Sequence, residues 1–310
     1  MSRERSKGIV GIFVLVTILF FIFIVFAFYT VSQLKESSSM GENLLNKGKN
    51  SPIAVITIEN EIMESKKTIE LLLAAEEEAS IKAIILRIDS PGGAVAPTQE
   101  IYEEVRRIDQ TKKPVYASFG TVAASGGYYI GAAARKIWAN AGTLTGSIGV
   151  IMQTADLSEL FKWAKVKQEV IKAGRYKDIG SPARPMSDEE RMILNDLLAG
   201  THKQFMQDIM EVRKDRLKKN IIELAQGQIF HGVEAMDLGL VDHVGSLWEA
   251  GRAIHKELKL KGEFGLRYLK SPRKKFSFSE FLQETEETLT FIRNKVETQT
   301  RTAPAYKFEL

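Results

Sequence analysis

The stretch PVYASFGTVAASGGYYIGAAA, residues 114–134, changes character midway. PVYASF (114–119) reads as a strand and SGGYYIGAAA (125–134) as the start of a helix. A lone hydroxyl, Ser125, then falls at the strand-to-helix corner, where backbone N–H groups have no intrahelical partner. Upstream, IAVITIEN (53–60) is a β-branched run of strand length, and a helical stretch covers about 67–79. A second strand, IKAIILRI (81–88), leads into the turn DSPGG (89–93) and a helix beginning near Pro97. Strands alternating with helices at this spacing predict βαβ units and a mostly parallel sheet.

Beyond residue 155 the pattern turns helical. SDEERMILNDLLAGTHKQFMQDIMEVRKDR places Ser187 and Glu190 at capping-box spacing, with apolar Leu194, Leu197, Leu198, Phe205 and Ile209, so a long amphipathic helix is expected. A second one, over 277–297, puts Phe281, Thr285, Leu289, Ile292 and Val296 on one face. Such a stripe packs on a core or a neighbouring subunit; the basic run KSPRKKFSF before it also permits contact with an anionic membrane surface. At the other end no charge interrupts residues 8–34, and about 20 apolar residues suffice for a membrane-spanning helix. A cleaved signal peptide would have a shorter apolar core and a small-residue cleavage site. Arg3, Arg5 and Lys7 precede the segment, which predicts a cytoplasmic N-terminus and a body on the far side of the membrane. The expected organisation is a cytoplasmic start (1–7), an anchor (8–34), a linker (35–52), a body (53–260) and a C-terminal helical extension and tail (261–310).

Composition narrows the chemistry. The 310 residues are 44% hydrophobic and 26% charged, a globular mixture. The net charge of +4, from 43 Lys and Arg against 39 Asp and Glu, gives a nucleic-acid role little support. The sequence has no cysteine, which removes disulfides, thiol nucleophiles and thiolate metal sites. His202, His231, His243 and His255 show no metal-binding spacing. No cofactor is expected.

Ser125 admits two readings. As a nucleophile it would sit beside unpaired N–H donors able to stabilise an oxyanion, with Gly126 leaving the approach open; as an N-cap it would only terminate a helix. DSPGG lies at the end of its own strand, on the same rim of the sheet where ligands bind in open parallel sheets. A serine nucleophile needs a base. His231, in IFHGVEAMDLGL, is one candidate; lysine is the other known partner, but a lysine base must be neutral, which takes burial away from carboxylates. Lys177, in KAGRYKDIGSP, lies in a Gly- and Pro-bounded loop rather than on a charged helix face, although Asp178 stands beside it.

DSPGG at 89, AASGGYY at 123, LTGSIGV at 144 and GRYKDIGSP at 174, in that order, resemble the signature of the signal peptide peptidase A family, membrane-bound serine peptidases of the ClpP/crotonase superfamily. The resemblance runs from about 53 to 260 and includes the N-terminal anchor. It implies a ClpP/crotonase-like α/β fold of repeated βαβ units with added helices, preceded by one transmembrane helix. It implies Ser125 as nucleophile, Lys177 as general base, and an oxyanion hole from Gly92 or Gly93 with Gly126. The segment with Ser147 and Ile148 is read as a wall of the groove that binds the peptide. Longer family members carry two such halves; one half implies a ring-shaped homo-oligomer, octameric in known short members, with Lys177 of one subunit completing its neighbour's site. The expected activity is hydrolysis of remnant signal peptides and other short hydrophobic peptides outside the cytoplasm. A crotonase-like acyl-CoA enzyme and a non-catalytic membrane scaffold are the alternatives on the same fold.

Overall fold

The computed structural model describes residues 19–23, 26 and 51–270. Most of the expected anchor and linker, and the amphipathic helix expected over 277–297, lie outside the described residues. Among the described residues no helix is long and apolar enough to cross a membrane.

The alternating pattern gives β1 (Ile53–Glu59), α1 (Lys66–Glu77), β2 (Ala83–Ser90), α2 (Val95–Thr111) and β3 (Val115–Ala124). The three strands lie side by side and parallel, Ile53 opposite Ala83 and Ile84 opposite Val115. Because side chains alternate along a strand, one sequence run feeds two cores. Ile53, Val55, Ala83, Ile85 and Tyr116 face one way; Ile56, Ile58, Ile84, Leu86, Ile88 and Phe119 face the other. Burial on both faces is why the strands read as nearly continuous apolar runs.

β3 continues past PVYASF to Ala124, and its two halves have different partners. The first pairs with β4 (Ile137–Ala139), the second with β5 (Leu144–Gly146). β6 (Ile229–His231) runs antiparallel along β5, β7 (His243–Val244) extends β4, and β8 (Arg267–Tyr268) lies on the outer edge of β1. The order is β6-β5-β3-β2-β1-β8.

Helices cover both faces. On one lie α1, α2, the short α3 (Gly126–Ala132) and the second half of α5 (Asp188–Arg213), which buries Phe205 and Ile209. On the other, α8 (Leu247–Glu257) places Leu247, Ala250 and Ile254 against Tyr116 and Trp138. Three short helices, α4 (Ser158–Trp163), α6 (Ile221–Leu224) and α7 (Gly232–Asp237), lie in the connections. The capping box expected at α5 is present: Ser187 Oγ accepts from the Glu190 N–H, and the Glu190 carboxylate accepts from the Ser187 N–H. The same helix ends in a fully buried arginine, Arg213, which donates to Asp242 Oδ2 at 3.1 Å and to Gly239 O at 3.0 Å.

Leu86, fully buried at the centre of the sheet, sets a testable contrast with the exposed Met63. Leu86→Ala should destabilise the fold by about 2–5 kcal/mol in chemical denaturation, while Met63→Ala should stay within about 0.5 kcal/mol of the parent.

Candidate active site

The site begins at the end of β3. Ala124 pairs with Gly146, the Ser125 N–H then donates to Gly146 O at 2.9 Å, and Ser125 O accepts from the Tyr129 N–H at 2.9 Å. The chain must therefore pass from strand to helix within one residue. Ser125 does so at φ 52° and ψ −120°, a region a residue with a Cβ adopts only under strain. Although Ser125 occupies the N-cap position, its hydroxyl makes no capping hydrogen bond. The cap reading of this serine is thereby removed, and its Oγ is left for other chemistry.

Two backbone donors stand beside it. In DSPGG, Ser90 Oγ accepts from the Gly92 N–H, Gly92 O accepts from the Ile62 N–H, and the Ala94 N–H donates to Ile62 O. These bonds leave the Gly93 N–H outside the bridge that its residue makes with Ile62. The Gly126 N–H, first in α3, likewise has no backbone acceptor among the described residues. The turn packs so closely on the corner that side chains are excluded: a Cβ on Gly92, at φ 106°, would lie 2.7 Å from Gly126 N and 2.9 Å from Ser125 Cβ. A Cβ on Gly126 would lie 3.3 Å from Gly93 N. Gly93 and Gly126, rather than Gly92, thus offer the donors an oxyanion needs; Gly92 permits their approach.

Ser125, Gly93, Gly126 and Ser147 line a cavity of about 310 Å³. Ser147 sits just past β5 at φ 50°, its N–H donating to Gln228 O at 2.8 Å. Ile148 is fully buried behind it, so it supports the wall rather than facing the cavity. The cavity is also bounded by Thr98, Gln99, Tyr129 and Phe205, of which the sequence marks only Phe205, and only as part of a helix stripe. Their signal was present as helix periodicity, which reports burial without revealing which buried face borders a cleft. Tyr129 is held between Tyr102 and Phe205, with ring centroids 4.9 and 4.4 Å away. Its hydroxyl donates to the Asp208 carboxylate, which also accepts from Gln204 Nε2 at 2.8 Å. Burial first, and then this bond, push the Tyr129 phenol well above its ordinary range, so it stays neutral.

Lys177 is placed differently. It lies on an exposed loop and does not line the cavity of its own chain. Asp178, beside it in sequence, is engaged elsewhere: Arg184 Nε and Nη2 donate to its two oxygens at 2.9 Å each, and Lys172 adds a further bond. Arg184 and then Lys172 hold the Asp178 carboxyl far below the usual carboxylate range. Among the described residues Lys177 has no carboxylate partner. His231, the other candidate base, is an N-cap: its Nδ1 accepts from the Glu234 N–H at 3.4 Å at the start of α7, and the ring is exposed. Among the described residues no cluster of His, Asp or Glu could hold a metal ion.

A serine on a strained strand-to-helix corner, with two unengaged N–H groups beside it, is the arrangement with which serine hydrolases form and stabilise an acyl intermediate. Comparison with known proteins agrees. Residues 39–159 match the family model described as Clp protease, and residues 107–261 match that of peptidase family S49. The chain belongs to peptidase family S49, a family of serine peptidases. It is 42% identical over 182 residues to "Putative protease slr0021" of Synechocystis, covering 59% of this chain and 65% of that one. It is 34% identical to "Putative signal peptide peptidase SppA" of Enterococcus faecium, covering 62% and 56%. With "Putative protease MJ0651" of Methanocaldococcus jannaschii the identity is 33%, covering 66% and 70%. The chain thus spans less than two thirds of the length of the first two relatives.

The strain at Ser125 can be measured apart from any activity. Because the positive φ costs a residue with a Cβ about 1–3 kcal/mol, against about 0.5–1 kcal/mol of extra chain entropy for glycine, Ser125→Gly should be about 1 kcal/mol more stable than the parent. Ser125→Ala, which keeps the Cβ, should match the parent in the same urea titration. A glycine variant less stable than the alanine variant would mean that the corner is not strained.

Proposed function

We propose that the chain is a membrane-anchored serine endopeptidase in which Ser125 and Lys177 form a catalytic dyad, with short hydrophobic peptides, remnant signal peptides among them, as substrates. The observation that carries the reading is the Ser125 corner: a strained serine with an uncommitted hydroxyl beside the Gly93 and Gly126 N–H groups. In the proposed reaction a neutral Lys177 Nζ takes the Ser125 proton as Oγ attacks the scissile carbonyl. The Gly93 and Gly126 N–H groups hold the resulting oxyanion. Lys177 then passes the proton to the leaving amine, and water releases the acyl group by the same steps in reverse order. A binding scaffold, or an acyl-CoA enzyme that binds a thioester without a nucleophile, has no need of a strained serine there.

Peptide rather than small-molecule binding is supported by the groove. Residues 149–151 leave β5 with no backbone partners, and Val150 and Ile151 border the cavity. An extended substrate can pair with such a segment by main-chain hydrogen bonds, its side chains entering pockets alternately. The anchor and the extracytoplasmic location rest on the uninterrupted apolar run at 8–34 and the basic residues before it.

A dyad shared between subunits of a homo-oligomer is supported by the absence of Lys177 from the cavity lining. Its loop is tied through Asp178 and Arg184 to Glu190, and α5 reaches the cavity only at Thr201 and Phe205. Glu190 and Thr201 are about 16 Å apart along the helix at about 1.5 Å per residue. That span is longer than one lysine side chain, which supports a second copy bringing its Lys177 to Ser125. Exposed apolar residues on the same arm give such a copy a surface to cover: Trp163 is 82% exposed, Ile171 95% and Met192 64%.

Ser125→Ala and Lys177→Ala should each lower kcat on a hydrophobic fluorogenic peptide by about 10⁴-fold or more, with no additivity in the double variant. Lys177→Arg should be equally inactive, because a guanidinium stays charged. When the two alanine variants are co-expressed with different tags and purified through both, partial activity should return, since some junctions then pair an intact Ser125 with an intact Lys177. Mixed oligomers no more active than either variant alone would rule out the shared dyad, and turnover by Ser125→Ala would rule out the nucleophile.

A further inference from the structure

The loop around Lys177 carries more charge than its exposure requires. Three carboxylates surround it: Asp178 on the loop, and Glu189 and Glu190 on the first turn of α5. Three cations answer them. Arg175 pairs with Glu189, Lys172 with Asp178, and Arg184 joins Asp178 to Glu190. Tyr176 adds a hydroxyl bond to Glu189. Asp188, the first residue of α5, has no ion-pair partner among the described residues, nor has Lys177. Between Lys172 and Arg184, Lys177 is the one cation without an ion-pair partner among the described residues, and the proposed reaction requires it to lose its charge.

Arg184 is the centre of this arrangement. Its Nε and Nη2 face the Asp178 carboxylate as a fork at 2.9 Å each, and its Nη1 donates to Glu190 Oε2 at 2.8 Å. Glu190 is only 3% exposed and is itself fixed by the capping box, accepting from the Ser187 N–H at 3.0 Å. A planar guanidinium can satisfy two carboxylates in this way; an ammonium, with no fork, cannot. The guanidinium thus ties the loop to the start of α5, and the Leu157 N–H, donating to Pro182 O at 2.8 Å, ties it a second time.

We propose that Arg184 is the positioning residue for Lys177: it fixes the loop to the start of α5 and, with Lys172, occupies Asp178, so that this carboxylate is not left to pair with the neighbouring Lys177 ammonium. The inference rests on the Ser125 and Lys177 dyad and adds to it a residue that acts on the base without touching substrate. It also accounts for an acidic residue directly beside a lysine that must act as a base. Asp178 is a tether whose charge is consumed by Arg184 and Lys172.

The test is the pH profile of kcat/KM of the full-length protein on a fluorogenic peptide. Arg184→Gln removes the positive charge and leaves Asp178 with Lys172 as its only cation, so the rising acid limb should move to higher pH by about one unit, together with a fall in kcat. Adding Asp178→Asn to that variant removes that carboxylate and should return the limb to within about 0.3 units of the parent, with kcat still reduced because the tether is lost. A merely structural role predicts lower activity with an unmoved limb and no effect of the second substitution, and that result would overturn the proposal. Should Arg184→Gln fail to assemble, Arg184→Lys keeps the charge and loses the fork: kcat should fall several-fold with the limb in place, and parental kcat would overturn the positioning role. Lys177→Ala separates the two layers. If it turns over substrate, the dyad fails and the inference with it; if it is inactive while the Arg184→Gln limb stays unmoved, the inference alone fails.

Discussion

The structure depends on one backbone constraint, that β3 must end and α3 begin with a single residue between them. Gly146 O fixes the Ser125 N–H and the Tyr129 N–H fixes Ser125 O, so the corner residue has no freedom to relax its positive φ. The glycines around it answer the same constraint. A turn that approaches within 2.7 Å of where a Cβ would stand cannot carry side chains, and DSPGG meets ASGG there. The parallel order of β1, β2 and β3 then places the ends of β2 and β3 on one rim, so a turn and a corner distant in sequence share a site.

Much of this was legible in the sequence because burial on both faces of a parallel sheet leaves a strong mark. The runs at 53 and 81 became strands shifted by no more than two residues, and Ser187 and Glu190 formed the capping box that their spacing implied. β3 was read too short because GTVAA has none of the bulky residues that mark a strand; it pairs there because β5 supplies a partner, which is tertiary context. The role of Ser125 was ambiguous for a related reason. A serine before a helix is an N-cap unless its hydroxyl points elsewhere, and direction is not a property of composition.

The Lys177 loop was harder to read because its order comes from charge pairs between residues six apart, not from burial. Asp178, Arg184 and Glu190 look like an ordinary solvated sequence, and nothing in their spacing says that one guanidinium joins both carboxylates. Their pairing also sets a pH limit. Arg184 is the first cause of the lowered pKa of both Asp178 and Glu190, so the stabilisation they give is complete above the ordinary carboxylate range and is lost only as pH falls through their depressed values. Above the ordinary carboxylate range the tether is therefore fully formed.

α5 joins the two halves of the proposed chemistry while keeping them apart within one chain. Near its start, Glu190 holds the loop of Lys177; near its end, Phe205 and Asp208 pack on and bond to Tyr129, one helical turn from Ser125. Glu190 and Asp208 are about 27 Å apart along the axis. The first half of the helix, with Met192 and Leu197 exposed, faces away from the core that buries its second half. One end of α5 thus holds the loop of Lys177 while its other end packs on the helix that follows Ser125. A change in how α5 packs therefore bears on both the Ser125 corner and the Lys177 loop.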